Sequence, residues 1–127
     1  MGDKDSRDLK VLLVEDFEDT RLVMRLQLED QGFIVFEAEN GQVAVEKATR
    51  EKPDVILMDL TLPLMDGFAA TKLIRQNDAL KNVPIIAITA HQEDDFRSDA
   101  KASGFDAYVT KPIDANWLKD LIAGLLN

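Results

Sequence analysis

Cysteine is absent, which excludes disulfides, thiolate zinc sites and cysteine nucleophiles together. Histidine occurs once, as His91, too few for a multi-histidine metal site and a poor basis for a Ser-His-Asp triad. No apolar run approaches the roughly 20 residues of a membrane span, and the charged stretch Met1–Lys10 does not read as a signal peptide. Positive charge is in short supply: Lys and Arg total 15 against 24 Asp and Glu, a net charge of −9. That balance argues against nucleic acid and anionic membranes as partners, because both need a basic footprint. The glycines at 2, 32, 41, 67, 104 and 124 form neither GxGxxG nor GxxxxGK(S/T), so phosphate-cradling loops are missing. A soluble, cytoplasmic domain is expected, and any hard cation it binds should sit on oxygen. The 127 residues suffice for one domain with a real core.

Residues 1–8, MGDKDSRD, are polar and patternless and read as a disordered tail or an expression remnant, leaving 9–127 as the domain. Strands are expected at Leu9–Val14, Phe33–Ala38, Val55–Met58, Pro84–Thr89 and Ala107–Thr110. Three of these are nearly continuous apolar runs, as parallel strands buried on both faces require. Helical stretches fall near 18–31, 41–51, 67–77, 93–103 and 114–126. In the last, Trp117, Leu118, Leu121, Ile122 and Leu125 form one apolar stripe, Asp114 suits the N-cap, and Ile113 with Leu118 suits a hydrophobic staple. Trp117 is expected in the core as part of that stripe, with an interface anchor as the alternative. Gly32 and Gly104 stand where the first and fourth helices should stop. Alternating strands and helices imply a doubly wound α/β fold, (βα)5, with a parallel sheet.

Ligands of such sheets bind beyond the carboxyl ends of the strands. Strand one is followed by Glu15-Asp16, strand three by Asp59, strand four by Thr89-Ala90 and strand five by Lys111-Pro112. Strand two ends in Glu39-Asn40-Gly41, a turn signal. Singly, each residue has a plain alternative: Asp16 as a helix N-cap, Lys111 as a solvated lysine. Together they place three carboxylates, a hydroxyl and an ammonium on one edge. Unit charges about 4 Å apart repel by roughly 4 kcal/mol at an effective dielectric near 20, so the acids need a cation. Oxygen ligands alone select Mg²⁺, Mn²⁺ or Ca²⁺, and few ligands at an open edge favour Mg²⁺. A metal beside a free carboxylate, with a hydroxyl and an ammonium opposite, suits phosphoryl transfer: Asp59 attacks in line while Thr89 and Lys111 stabilise equatorial charge.

The runs VLLVED (11–16), VILMDLTLPLMDG (55–67), IIAITA (85–90) and YVTKP (108–112) resemble, in order, the receiver domain of two-component response regulators. The resemblance covers about Leu9 to Leu126 and brings with it the flavodoxin-like strand order 2-1-3-4-5, which the residues alone do not give. It implies that Asp59 is the phosphoacceptor. Asp16 and Asp59 would ligate Mg²⁺ (or Mn²⁺) directly, Glu15 through water and Thr61 through its backbone carbonyl. Thr89 and Lys111 would grip the phosphoryl group, Tyr108 would be the aromatic switch, and the Lys111–Pro112 bond would be cis. The implied phosphodonor is a histidine kinase or a histidine phosphotransfer domain. The implied output is a downstream protein on the face of the fourth helix, fifth strand and fifth helix. That face reads as soft, since the helix around 93–103 offers only Phe96 and Ala100 as a clear apolar pair. The chain would then be a switch that catalyses its own modification, not an enzyme with a separate substrate.

Two features depart from the family's usual pattern. The first acid is Glu15 where aspartate is frequent, which should lengthen its reach. Thr61 and His91, two residues beyond Asp59 and Thr89, occupy positions that tune water's access to the acyl phosphate; an exposed loop histidine is the plain alternative for His91. A haloacid-dehalogenase-type phosphatase is the rival enzyme reading, but it wants an acid where Thr61 stands and its nucleophile on the first strand. A receiver that signals without phosphate is the rival binding reading. Both a stand-alone regulator and a receiver cut from a larger regulator or hybrid kinase are compatible with the motifs.

Overall fold

Alternate residues of each strand enter opposite cores, and that alternation builds a three-layer molecule. The computed structural model describes residues 9–60, 62, 65–89 and 104–126. Its strands are β1 (Lys10–Val14), β2 (Ile34–Ala38), β3 (Val55–Asp59), β4 (Ile85–Thr89) and β5 (Ala107–Thr110). Its helices are α1 (Glu18–Asp30), α2 (Gly41–Glu51), α3 (Gly67–Arg75) and α4 (Ala115–Leu126), with a 3₁₀ turn at Asp78–Leu80. All pairings are parallel and the order is β2-β1-β3-β4-β5, as the resemblance implies. The strands match their expected ranges to within one residue. Residues 1–8 and the helix expected over 93–103, with Phe96 and Ala100, lie outside the described residues.

Leu12, Val14, Ile56, Met58, Ile85 and Ala87 face Ala44 and Ala48 of α2 and Ala70 and Ile74 of α3. Val11, Leu13, Val55, Leu57, Ile86 and Ile88 face Met24 and Leu28 of α1 and Leu118 and Ile122 of α4. Each such large side chain contributes about 1.5–3 kcal/mol on burial, and β3 and β4 are buried at every position. The near-continuous apolar runs follow from this two-sided burial.

Three helix starts and the end of α1 obey local chemistry, and the start of α1 is the exception among these. Asn40 Oδ1 accepts from Val43 N at 2.9 Å, Asp66 Oδ1 from Ala69 N at 2.8 Å, and Asp114 Oδ1 from Asn116 N at 2.9 Å and Trp117 N at 3.2 Å. Asn40 is thus an N-cap as well as a turn residue, and Ile113 and Leu118 share one core as the staple expects. At the end of α1, Gly32 N bonds to Glu29 O and Phe33 N to Leu28 O, with Gly32 at φ 96°, a left-handed stop that glycine supplies at low cost. The exception is α1's N-cap, Phe17, whose side chain caps nothing.

Two expectations are corrected. The third helix stops at Arg75 instead of 77, because Asn77 caps a new 3₁₀ turn by accepting from Ala79 N at 3.0 Å. Trp117 is 53% exposed and outside the core. Leu118, Ile122 and Leu125 follow i, i+4, i+7 and set the centre of the buried stripe, which leaves Trp117 about 100° round the helix.

Arg75 fastens the far end of the fold. Its guanidinium donates to the carbonyls of Leu80 (3.1 Å), Lys81 (3.1 Å), Val83 (2.6 Å) and Gly104 (2.8 Å), and pairs with Asp106 at 2.7 Å. Asp106 in turn accepts from Ile85 N at 2.9 Å, so one side chain joins α3, the approach to β4 and the approach to β5. Arg75→Met should lose about 2–3 kcal/mol, since several part-buried carbonyls lose a charged donor, read as a lower urea midpoint at unchanged slope.

Candidate functional site

Parallel register brings the carboxyl ends of four strands to one edge. Val14 lies beside Met58, Asp59 beside Ile88 and Thr89 beside Thr110, so the residues that follow cannot avoid one another. The ladder continues into the site through Glu15 N to Ala38 O (3.1 Å), Leu60 N to Ile88 O (3.1 Å) and Lys111 N to Thr89 O (2.8 Å). Carboxylate oxygens of Glu15, Asp16 and Asp59 lie within 4.8 Å of one another. Glu15 is 1% and Asp59 4% exposed, whereas Asp16 is open to solvent. Asp16 is not the N-cap of α1, so its plain alternative is not realised.

Lys111 sits between the buried acids. Its Nζ donates to Glu15 Oε1 at 2.5 Å and to Asp59 Oδ2 at 3.0 Å. Burial pulls the lysine's pKa down, but the hydrogen bonds to Glu15 and Asp59 and their charges outweigh it and raise it above its ordinary 10.5. The ammonium therefore stays charged at neutral pH, and the stability tied to it fades only as pH rises through the raised value. Three carboxylates against one ammonium leave the cluster short of positive charge, with oxygen as the only donor type. This is the donor set of a hard divalent cation, so the residues fit Mg²⁺.

Thr89 is buried at the end of β4, and Tyr108 is half-buried against the core shared by α2 and α3. The Lys111–Pro112 bond is cis, as the resemblance implies. Thr61 and His91 lie outside the described residues. Three participants were not singled out in the sequence. Phe17 N donates to Glu15 Oε2 at 3.2 Å and Arg21 Nη1 to Glu15 O at 2.9 Å, both from the start of α1. Gly67 presses against the backbone of Asp59: a Cβ there would overlap the Asp59 carbonyl oxygen and stand 3.1 Å from Leu60 Cα. Its signal was the Asp66-Gly67 pair, which reads as a cap and a helix start before it reads as a close approach.

The family model for the response regulator receiver domain matches residues 11–123. The chain belongs to this family. It is 38% identical over 117 residues to the chemotaxis protein CheY of Halobacterium salinarum, covering 92% of this chain and 96% of that protein. It is also 38% identical over 120 residues to the sensor protein GacS of Pseudomonas syringae pv. syringae, covering 92% of this chain but 13% of GacS. The receiver domain of the Pseudomonas aeruginosa histidine kinase PA1611, solved with a magnesium ion in its active-site cleft, superposes with a TM-score of 0.87. It is 34% identical, with 94% of this chain and 98% of that chain covered. Among the described residues, no helix of this receiver is long and apolar enough to cross a membrane.

Two glycine substitutions separate packing from propensity. Gly67→Ala should destabilise the receiver by about 1–3 kcal/mol, since backbone must shift beside Asp59. Gly124→Ala, where nothing lies within 4 Å of the added carbon, should stabilise α4 by about 0.5–1 kcal/mol. Parallel urea titrations check both signs.

Proposed function

We propose that Asp59 is the acceptor of a phosphoryl group delivered by a histidine kinase or histidine phosphotransfer domain. The observation that carries this reading is a buried carboxylate at the carboxyl end of β3, 3.0 Å from an ammonium and clustered with two further acids. An Asp59 carboxylate oxygen attacks phosphorus in line, the phosphorus–nitrogen bond of the phosphohistidine breaks, and its electron pair returns to the imidazole. The product is a mixed anhydride, which water later cleaves to restore the carboxylate. Lys111 and the Thr89 hydroxyl receive the phosphoryl oxygens and stabilise their charge. Asp16, Asp59, Glu15 and the Thr61 carbonyl would hold Mg²⁺, or Mn²⁺ in its place. When bound, the metal would neutralise charge on the transferring oxygens.

The phosphoryl group, whose charge of roughly −1.5 to −2 replaces that of the carboxylate, then draws Thr89 toward it, and Tyr108 fills the space the threonine leaves. The face of β5 and α4, together with the helix that the resemblance implies over 93–103, changes shape, and a downstream protein reads it. The exposure of Trp117 on α4 supports a part for it in that contact. The receiver works as a cytoplasmic switch and turns over no separate substrate.

Acetyl phosphate tests the chemistry without a kinase. Intact mass should show one phosphoryl adduct that requires Mg²⁺, is blocked by chelator and disappears in Asp59→Asn. Lys111→Met should slow its formation on the order of 10²-fold. An adduct that survives in Asp59→Asn, or none under any condition even with Asp59 intact, sinks the assignment. His91 is the proposed tuner of the adduct's lifetime. His91→Ala should change the decay rate by about threefold or more, well beyond the scatter of a surface substitution, and an unchanged decay would return it to an ordinary loop histidine.

A further inference from the structure

The connection from Asp59 to Gly67 is pressed against backbone at two points. One is its own end, where Gly67 meets the Asp59 carbonyl. The other comes from a separate element: Gly41, the buried first residue of α2, lies against Met65. A Cβ on Gly41 would overlap the Met65 carbonyl oxygen and stand 3.1 Å from the Met65 carbonyl carbon and Cβ. Relief would require a backbone shift, because a peptide carbonyl cannot swing aside as a side-chain tip can. Among the described residues the left-handed glycines are Gly32 and Gly104, so position 41 uses glycine for its size and not for its φ. The connection is held elsewhere as well. Gly67 N donates to Leu60 O at 3.3 Å and Leu60 N to Ile88 O at 3.1 Å. Leu60 is buried in the core that α2 and α3 share, with Leu62 and Met65 packed against it.

We propose that Gly41 is a positioning residue. The first turn of α2, fixed by Asn40 Oδ1 accepting from Val43 N at 2.9 Å, acts as a strut that bears on Met65 and sets where Asp59 stands. The load passes from Gly41 to Met65, along the chain to Gly67, and from Gly67 to the Asp59 carbonyl. No residue of α2 belongs to the acidic cluster found among the described residues, so the strut acts on the pocket without entering it. Its consequence for a cation rests on the phosphoacceptor reading, in which Asp59 and the Thr61 carbonyl, both on this connection, hold Mg²⁺. Side-chain size at position 41 then governs how well the metal is held, with every acid left in place.

The test compares the full chain with Gly41→Ala and with Ala48→Gly, which weakens α2 two turns away from Met65. Amide hydrogen exchange is followed by NMR without metal, and each rate is divided by that of Leu12 in the middle of β1, which removes the effect of overall stability. In Gly41→Ala the amides of Leu60 and Gly67 should exchange at least about tenfold faster on that scale, and Mg²⁺ affinity by calorimetry should fall at least about fivefold. In Ala48→Gly both should stay within about twofold. Asn40→Ala frays the same turn without adding an atom and should loosen Leu60 and Gly67 by about threefold or more. Unchanged protection of these amides in Gly41→Ala, or in Asn40→Ala should Gly41→Ala fail to fold, overturns the proposal. Equal loosening in Ala48→Gly overturns it, as does a loosened connection with Mg²⁺ affinity unchanged. If the unaltered chain takes up no Mg²⁺, the metal reading fails and the exchange rates alone decide on the strut. The strut can hold although acetyl phosphate gives no adduct, and the reverse can occur, so the two readings fail separately.

Discussion

Three carboxylates at one sheet edge repel one another, and the Lys111 ammonium makes their proximity tolerable. At an effective dielectric near 20, unit charges about 4 Å apart interact by roughly 4 kcal/mol, comparable to a large share of a domain's net stability. One lysine bridging Glu15 and Asp59 offsets the buried part of that cost and leaves Asp16, the exposed acid, in water, where charge is well solvated. The residual negative charge is what a divalent cation answers. A site with three acids and no lysine would demand its metal to fold; here the chain can present the pocket before any cation arrives.

The edge exists because the sheet is parallel and in register. Side chains of Val11 through Val14 and Val55 through Met58 are fully buried, so neither strand can slip by one residue without exchanging its two faces. A fixed register fixes where each strand ends, and therefore which residues meet. Asp59's backbone is held more firmly still. Leu60 N bonds to β4, and the glycine that opens α3 lies against the Asp59 carbonyl. Ligand groups in the pocket thus ride on a rigid frame, the arrangement in which fixed dipoles and charges act without reorganising.

The frame was the legible part of the sequence. Nearly continuous apolar runs located β1, β3 and β4, and the residue after each run named the pocket, since chain order alone puts strand ends together in a doubly wound sheet. What escaped depends on geometry that periodicity does not encode. Trp117 belongs by spacing to the apolar stripe of α4, yet the stripe's centre passes through Leu118 and Ile122. Phe17 carries no sequence signal of its place, an N-cap without a capping side chain, 60% exposed beside the pocket. Arg75 reads as one basic residue at a helix end, while its five donors meet carbonyls and a carboxylate up to 31 positions away. Long-range polar contacts of this kind leave no local pattern.

Phe17 stands at the N-cap of α1 with a side chain that caps nothing, while its amide donates to the Glu15 carboxylate and Arg21 of the first turn donates to the Glu15 carbonyl. The start of α1 thus contacts Glu15 at both its carboxylate and its carbonyl, and the same carboxylate meets Lys111. A capping side chain at this position ordinarily contributes about 1 kcal/mol, which α1 forgoes. Local stability is given up at the residue where the site needs order, and the broken rule marks the function. The first turn of α1 is therefore as much a part of the acidic pocket as the strand ends that carry its acids.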